Sequence, residues 1–164
     1  MDTRPRPDLK TYLRMVVGLI WIAGAVYNAL WTLRHTEFFG DEGIARDATL
    51  PVYRWFFGDV VAAAPVAWTL LVIAGEVAIG VLTLGTGIRA RAGLWGGILW
   101  SLWLFPMLWP YTIMMGPYAL LLAWLARGDQ DVSLRDLVGR PFQWRGRVHR
   151  EGAWAAEGRP GDGR

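Results

Sequence analysis

Residues 66–84 read VAWTLLVIAGEVAIGVLTL, a run of nineteen residues with one charged side chain, Glu76. An α-helix rises about 1.5 Å per residue, so a helix of this length nearly spans the roughly 30 Å hydrocarbon core of a bilayer. Pro65 precedes the run and suits the first turn of a helix. The stretch therefore predicts a membrane-spanning helix over residues 66–84.

Three further apolar runs predict helices of the same kind, over residues 15–33, 92–108 and 111–126. The last is short and is interrupted by Gly116 and Pro117, a break that neighbouring helices must shield in a membrane. Hydrophobic residues make up 54% of the chain and are concentrated in these runs, with the charges between them. This distribution predicts an all-α fold, a bundle of four transmembrane helices.

The first run also has features of a secretory signal peptide. Four basic residues precede it, and Ala23-Gly24-Ala25 resembles a small-residue cleavage site. The apolar run continues past that point as far as Leu33, which favours a helix that is retained as an anchor.

The basic residues are distributed unevenly between the predicted connections. Of the 17, four precede the first run, two lie between the second and third, eight follow the fourth, and three lie between the first and second. Cytoplasmic loops are enriched in lysine and arginine, so this split of fourteen against three places both termini in the cytoplasm. The predicted location is the cytoplasmic membrane, with several passes.

The connection from Arg34 to Pro65 is predicted to lie on the outer side and is mildly acidic. Its centre, residues 52–57, reads VYRWFF, which is too aromatic for a free linker. We expect an interfacial segment that lies on the membrane surface or caps the bundle. An ordered loop without a ligand is the simpler alternative.

The chain divides into a transmembrane domain, residues 1–138, and a tail, residues 139–164. A short helix is expected over 131–138, with Ser133 as N-cap and Asp136 three residues later. The tail is rich in glycine and arginine and cannot bury a core, which predicts disorder in the cytoplasm. Although the formal net charge is +3, acids are interleaved with the arginines, so we expect no nucleic-acid partner.

Glu76 lies near the midpoint of its predicted span, where an ionised carboxylate costs on the order of 2.5 to 3.5 kcal/mol. It must face the bundle interior and be protonated, paired or hydrated. Spacings of four, four and three put Gly24, Asn28, Thr32 and His35 on one face of the first helix. Facing Glu76, this stripe forms a candidate intramembrane polar site. Interhelical packing with hydrogen bonding is an equally supported interpretation, and His35 taken alone is more typical of an interfacial residue.

Several kinds of chemistry are excluded or unsupported. The chain has no cysteine and only two histidines, His35 and His149, so no metal site is expected. It carries no phosphate loop, zincin motif, nucleophile elbow or dinucleotide fingerprint. No cofactor is expected within the chain itself, and whether the protein is an enzyme stays open.

Three stretches resemble the DoxX family of small bacterial membrane proteins. These are residues 14–33, beginning with Arg14; residues 75–85, GEVAIGVLTLG, followed by Arg89 and Ala90; and the segment after the fourth run, with Gly128-Asp129 and residues 132–136, VSLRD. The resemblance covers about three quarters of the chain. The acidic outer connection, the tryptophan-rich third run and the arginine-rich tail are features of this chain without a counterpart in it.

The resemblance implies a four-helix bundle that associates with membrane redox enzymes, including quinone-reducing thiosulfate oxidoreductases. The leading hypothesis is a small membrane subunit of a redox complex, in which Glu76 and the Asn28 face line a site for a quinone or another partner. The alternatives are a non-catalytic scaffold or assembly factor and a component of a proton-coupled transporter. The expected partners are the lipid bilayer and either redox proteins or further copies of the chain.

Overall fold

The computed structural model of the protein describes residues 7–39, 43–107 and 112–138. Within these ranges all regular secondary structure is helical, which confirms the all-α class. The α-helices in chain order are α1 (Leu9–Leu30), α2 (Ile44–Asp47), α3 (Pro51–Trp55), α4 (Pro65–Leu84), α5 (Gly87–Leu104), α6 (Met115–Ala126) and α7 (Leu134–Val138). Short 3-10 turns cover Thr32–Arg34 and Thr36–Phe39, and a π-helical segment covers Phe56–Val61.

Helix α1 begins before its apolar run because Asp8 caps it. The Asp8 carboxylate accepts a hydrogen bond from the backbone N–H of Thr11 at 2.8 Å, and this bond holds the pKa of Asp8 below its usual value. Helix α4 matches the expected 66–84 almost residue for residue. Together with the turn that follows α1, the segments Leu9–Arg34 and Pro65–Leu84 are the two in the described chain that are long and apolar enough to cross a membrane.

Helices α5 and α6 differ more from the expected boundaries. Helix α5 starts at Gly87, where φ is +56°, and so takes Arg89 and Arg91 into its first turns. Helix α6 starts at Met115, which places Pro117 in the first turn, where no backbone N–H is needed for the helix. Its 12 residues span about 18 Å at about 1.5 Å per residue.

The four longer helices pack mainly in chain order. Helix α1 packs along α4, α4 along α5 and α5 along α6, whereas α1 and α6 approach each other only narrowly. A cluster of buried side chains joins all four, with Trp21 from α1, Ile79 from α4, Leu94 from α5 and Leu122 from α6 among its members. The bundle is therefore closed around one apolar core but is loosely sealed between its first and last helices.

Glycine brings α1 and α4 into close contact. A Cβ atom at Gly80 would lie 2.7 Å from a side-chain carbon of Ile22 and 2.9 Å from the carbonyl oxygen of Gly18. Gly93 has the same role between α5 and α4, where a Cβ would overlap Thr83. These contacts are the small-residue packing that the glycines of the apolar runs indicate.

Arg14, near the start of α1, joins this helix to the end of α4 and to the segment that follows α6. Its side chain is 1% exposed, and Nη1 donates to the carbonyl oxygens of Thr83 and Gly85, each at 2.6 Å. Nη2 donates to the carbonyl oxygen of Val132. A cation suits the carbonyl end of α4, whose last C=O groups have no partner within the helix. We call this end of the bundle the Arg14 end.

The opposite end is covered by the connection between α1 and α4. Residues 36–39 and 43–61, here called the cap, build a second apolar cluster in which Phe39, Tyr53 and Phe57 are buried with Met107 after α5. The phenol of Tyr53 donates a hydrogen bond to the carbonyl oxygen of Trp103 at 2.7 Å. The backbone N–H of Thr49 donates to the carbonyl oxygen of Met107 at 2.9 Å. Of the two positions expected for this aromatic segment, it takes the one that caps the bundle.

The chain after α6 folds back on the Arg14 end. Gln130 is 3% exposed, and its backbone carbonyl oxygen accepts a hydrogen bond from the backbone N–H of Gly87 at 2.8 Å. Ser133 and Asp136 then exchange hydrogen bonds at the start of α7, as in a capping box, so this predicted helix is confirmed. The tail predicted to be disordered, residues 139–164, lies outside the described residues.

Candidate functional site

Glu76 lies on the side of α4 that faces α1. A Cβ atom at Gly24 would be 3.5 Å from Oε1 of Glu76, in ordinary contact, so the glycine leaves room for the carboxyl group between the two helices. The side chain is partly buried there. The face of α1 that carries Gly24 is thus the face opposite Glu76.

Four polar residues are proposed for this site, and three of them, Thr32, Asn28 and Glu76, form one hydrogen-bonded chain. The hydroxyl of Thr32 donates to Oδ1 of Asn28 at 2.7 Å, and Nδ2 of Asn28 donates to Oε2 of Glu76 at 2.8 Å. Both groups of the Asn28 amide are therefore used within the protein. Among the described residues, Asn28 is the hydrogen-bond partner of Glu76, and Oε1 of Glu76 has none.

His35 does not join this chain. Helix α1 ends at Leu30 and the backbone continues as a 3-10 turn, whose tighter winding moves residue 35 off the face that Asn28 shares. The imidazole instead stacks on Trp31 with ring centroids 4.7 Å apart, and its Nδ1 lies 2.9 Å from the carbonyl oxygen of Trp31. The interfacial position expected for His35 taken alone stays a prediction.

A cavity of about 650 Å³ opens in front of the Glu76 carboxyl group. The cavity lies between the cap and the ends of α1, α4 and α5 that are next to the cap. Its lining includes the polar side chains of Asn28, Thr32, Thr69 and Glu76. Its size is within the range of small-molecule sites, which are mostly apolar with a few placed polar groups.

Aromatic rings make up much of the cavity wall. Phe56, Trp68 and Trp103 pack edge to face with centroids 5.3 to 5.8 Å apart, and Trp100 packs edge-on against Trp21 at 6.3 Å. Edge-to-face contacts at these distances fix the orientation of the rings. The wall is therefore flat-sided and apolar.

Two other polar groups of the wall are bonded to the backbone. Nε1 of Trp68 donates to the carbonyl oxygen of Val60 at 3.2 Å, and the hydroxyl of Thr69 donates to that of Pro65 at 2.8 Å. Oε1 of Glu76, on a side chain that lines the cavity, has no hydrogen-bond partner among the described residues. In the described part of the chain, no three His, Asp or Glu side chains come together in a group that could hold a metal ion.

Sequence reasoning did not identify the walls of this cavity. Phe39, Ile44 and Phe57 come from the connection between the first two apolar runs, and each is buried. The signal that could have indicated them is the aromatic centre of the cap, at residues 52–57, which has too many rings for a solvated loop. It shows that the segment packs on something, but not what it encloses.

The chain matches no protein-family model, and comparisons with curated proteins and with solved structures give no significant match.

Proposed function

We propose that the protein is a small multi-pass membrane subunit that binds a quinone in the cavity in front of Glu76 and serves a membrane redox complex. In this proposal the four apolar runs that contain α1, α4, α5 and α6 cross the bilayer, both termini are cytoplasmic, and the cap lies on the outer side. The observation that carries the proposal is that Glu76, whose Oε1 has no hydrogen-bond partner among the described residues, lines an aromatic cavity of about 650 Å³.

The surface of the helices supports the membrane location. Large apolar side chains are half exposed or more along α4, where Leu70, Leu71 and Val81 are 51%, 59% and 56% exposed. On α1, Ile20 and Val26 are 54% and 52% exposed. Contiguous apolar surface of this kind is rare on soluble monomers and is what lipid-facing helices present.

The chemistry of the cavity fits a quinone head group. A benzoquinone ring is flat and apolar on its faces, as the walls require, and carries carbonyl oxygens at its edge. A carboxylic acid at Glu76 donates a hydrogen bond to such an oxygen and exchanges a proton with it during reduction. Asn28 keeps the carboxyl group oriented by occupying Oε2. The electrons must come from a partner, because this chain supplies no redox centre.

The resemblance of residues 14–33, 75–85 and 128–136 to the DoxX family supports the same function. We propose membership of that family on these motifs, which include Arg14 and Glu76. The structure gives Arg14 a role at the Arg14 end, where its bonds to the α4 carbonyls join the first and second of the resembling stretches.

The test is direct measurement of quinone binding. The protein is purified in nanodiscs, and a dimethoxy-methyl benzoquinone with a decyl tail is titrated while quenching of tryptophan fluorescence is followed. We expect Glu76→Leu to weaken binding by about tenfold, which corresponds to roughly 1.4 kcal/mol for a lost hydrogen bond. Glu76→Gln retains a hydrogen-bonding group and should bind nearly as well, but it should no longer support proton-linked turnover with the native partners.

Glu37→Gln is the matched control, because Glu37 is an exposed acid outside the cavity. Equal binding by wild type and Glu76→Leu would place the quinone elsewhere, and the absence of saturable binding to wild type would refute the proposal.

A scaffold or assembly factor is the second candidate, and the glycine contacts favour it. Gly18, Gly80 and Gly93 pack the helices closely, and in a scaffold the Asn28–Glu76 bond would serve only to join α1 to α4. That function requires assembly of partner proteins to survive Glu76→Gln and to fail with a bulky residue at Gly80. Co-purification of partners from native membranes with each variant separates the two candidates.

A further inference from the structure

We infer that the cavity opens sideways into the bilayer beside Tyr27 and Trp31 of α1, and that it takes an amphiphile whose apolar tail lies in that opening. The inference rests on the proposed membrane function and names how its ligand reaches the site. It follows from which sides of the cavity are buried and which are exposed.

The cavity is closed over most of the cap side, where its lining residues Phe39, Ile44, Phe57 and Met107 are between 6% and 8% exposed. Phe38 is the exposed lining residue of the cap, at 40%, and it packs on Trp31 with ring centroids 5.5 Å apart. Phe39 and Phe57 lie parallel with ring centroids 6.4 Å apart, and the N–H of Thr49 bonds the cap to Met107. Within the described residues, a molecule that came from the aqueous outer side would have to displace a packed apolar cluster.

The side next to α1 is open. Tyr27 and Trp31 line the cavity and are 58% and 37% exposed. Their rings are stacked with centroids 5.7 Å apart, so they form one continuous edge. Trp103 on α5 lines the cavity as well and is 49% exposed.

The packing of α1 explains the opening. Trp21 contacts Tyr118 on α6 and Trp100 on α5, with ring centroids 6.4 and 6.3 Å apart. Asn28 is seven residues further, two turns along the same face of the helix, where it donates to Glu76 of α4 and lines the cavity. The aromatic contacts of α1 with α5 and α6 lie at the level of Trp21, and the cavity begins at the level of Asn28.

The exposed edge of this opening is apolar and aromatic, as suits contact with lipid. A polar head that reaches Glu76 from this side leaves the rest of its molecule between Tyr27 and Trp103. The structure thus points to a ligand with an uncharged hydrogen-bonding head and a hydrocarbon tail, which enters from the hydrophobic part of the membrane.

The absence of cysteine from the chain makes the test clean, because each introduced thiol is unique. Tyr27→Cys is labelled in detergent with a bulky maleimide, the protein is reconstituted in nanodiscs, and association of the decyl benzoquinone is followed by stopped-flow tryptophan fluorescence. We expect the label to slow association at least tenfold. Labelled Val26→Cys is the matched control, since Val26 is 52% exposed at the same depth and does not line the cavity.

Unlabelled Tyr27→Cys reports whether the substitution alone impairs folding or binding, and labelled Glu37→Cys reports access through the cap. Binding to wild type with no slowing by a label at Tyr27, or with slowing by the label at Glu37 instead, would overturn lateral access while leaving quinone binding intact. If neither the decyl quinone nor its tail-free analogue binds wild type, the proposed function itself fails.

Discussion

The two ends of the helix bundle differ in how the protein surrounds a polar side chain. At the Arg14 end, a guanidinium that is 1% exposed donates to three carbonyl oxygens from two other segments of the chain. Towards the cap, the carboxyl group of Glu76 accepts one hydrogen bond, from Asn28, and faces a cavity. The first arrangement uses a charge to hold the chain together, whereas the second leaves hydrogen-bonding capacity for another molecule.

This difference separates a structural polar group from one that we propose to be functional, within one small bundle. Both groups lie among helices, Arg14 fully buried and Glu76 partly buried. The distinction is whether the space around the group is filled by protein, and four substitutions test it, in order of decreasing expected effect.

Arg14→Leu should be the most damaging change. It removes the charged donor from the carbonyl oxygens of Thr83, Gly85 and Val132, and hydrogen bonds to charged groups contribute about 1.5 to 3 kcal/mol each. We expect the free energy of unfolding to fall by about 3 kcal/mol or more, measured by denaturant titration in mixed micelles. Lys10→Met is the control, because Lys10 has a cation–π contact with Trp124 worth about 0.5 to 1 kcal/mol. Equal losses in the two variants would contradict a special role for Arg14.

Gly80→Val should come next. The added carbons overlap Ile22 and the carbonyl of Gly18, so α1 and α4 must move apart at a cost of about 1 to 3 kcal/mol. Thermal unfolding of the purified variant measures this loss. Ala78→Val, on the exposed side of the same helix, should change stability little, and a comparable loss there would point to helix propensity rather than to the contact.

Asn28→Ala should affect binding more than folding. It removes one hydrogen bond worth about 1 kcal/mol, but it also frees Glu76 to rotate away from its orientation at the cavity floor. We expect quinone affinity to fall several-fold, with a smaller effect in Thr32→Val, which is one step further along the hydrogen-bonded chain. A double-mutant cycle with Glu76→Gln should show coupling between the two positions. Independent effects on affinity would make the bond a packing contact only.

Tyr53→Phe should have the smallest effect. Burial raises the pKa of the Tyr53 phenol above its ordinary value of 10.0. Between the unfolded and the folded pKa, the folded state keeps the phenol proton and the unfolded state loses it. The stability that this proton contributes is therefore fully present below the unfolded pKa and is lost as the pH rises through the folded pKa. Tyr53→Phe should cost about 1 kcal/mol at neutral pH for the bond to Trp103 and weaken this alkaline decline. Tyr12→Phe, at a tyrosine that is 45% exposed, is the control and should change stability at neutral pH little.

Much of the fold and part of the site could be predicted from local sequence. Helix α4 follows from one apolar run, and the fourfold spacing of Gly24, Asn28 and Thr32 places them on one face, which the structure puts opposite Glu76. His35 shares that face only while the backbone remains α-helical. The helix ends at Leu30, a boundary that the continuing apolar residues do not reveal.

Local sequence determined the longer helices and the position of one carboxyl group along its helix, because a hydrophobic run and its spacing are properties of a single segment. Tertiary structure decided what surrounds each polar group, because that depends on residues far apart in the chain. Arg14 reads as one of many basic residues before an apolar run, and only the return of Thr83 and Val132 makes it a structural group. Glu76 lies within α4 and opposite Asn28, but the cavity that its side chain lines is closed by residues of the cap, among them Phe39 and Phe57.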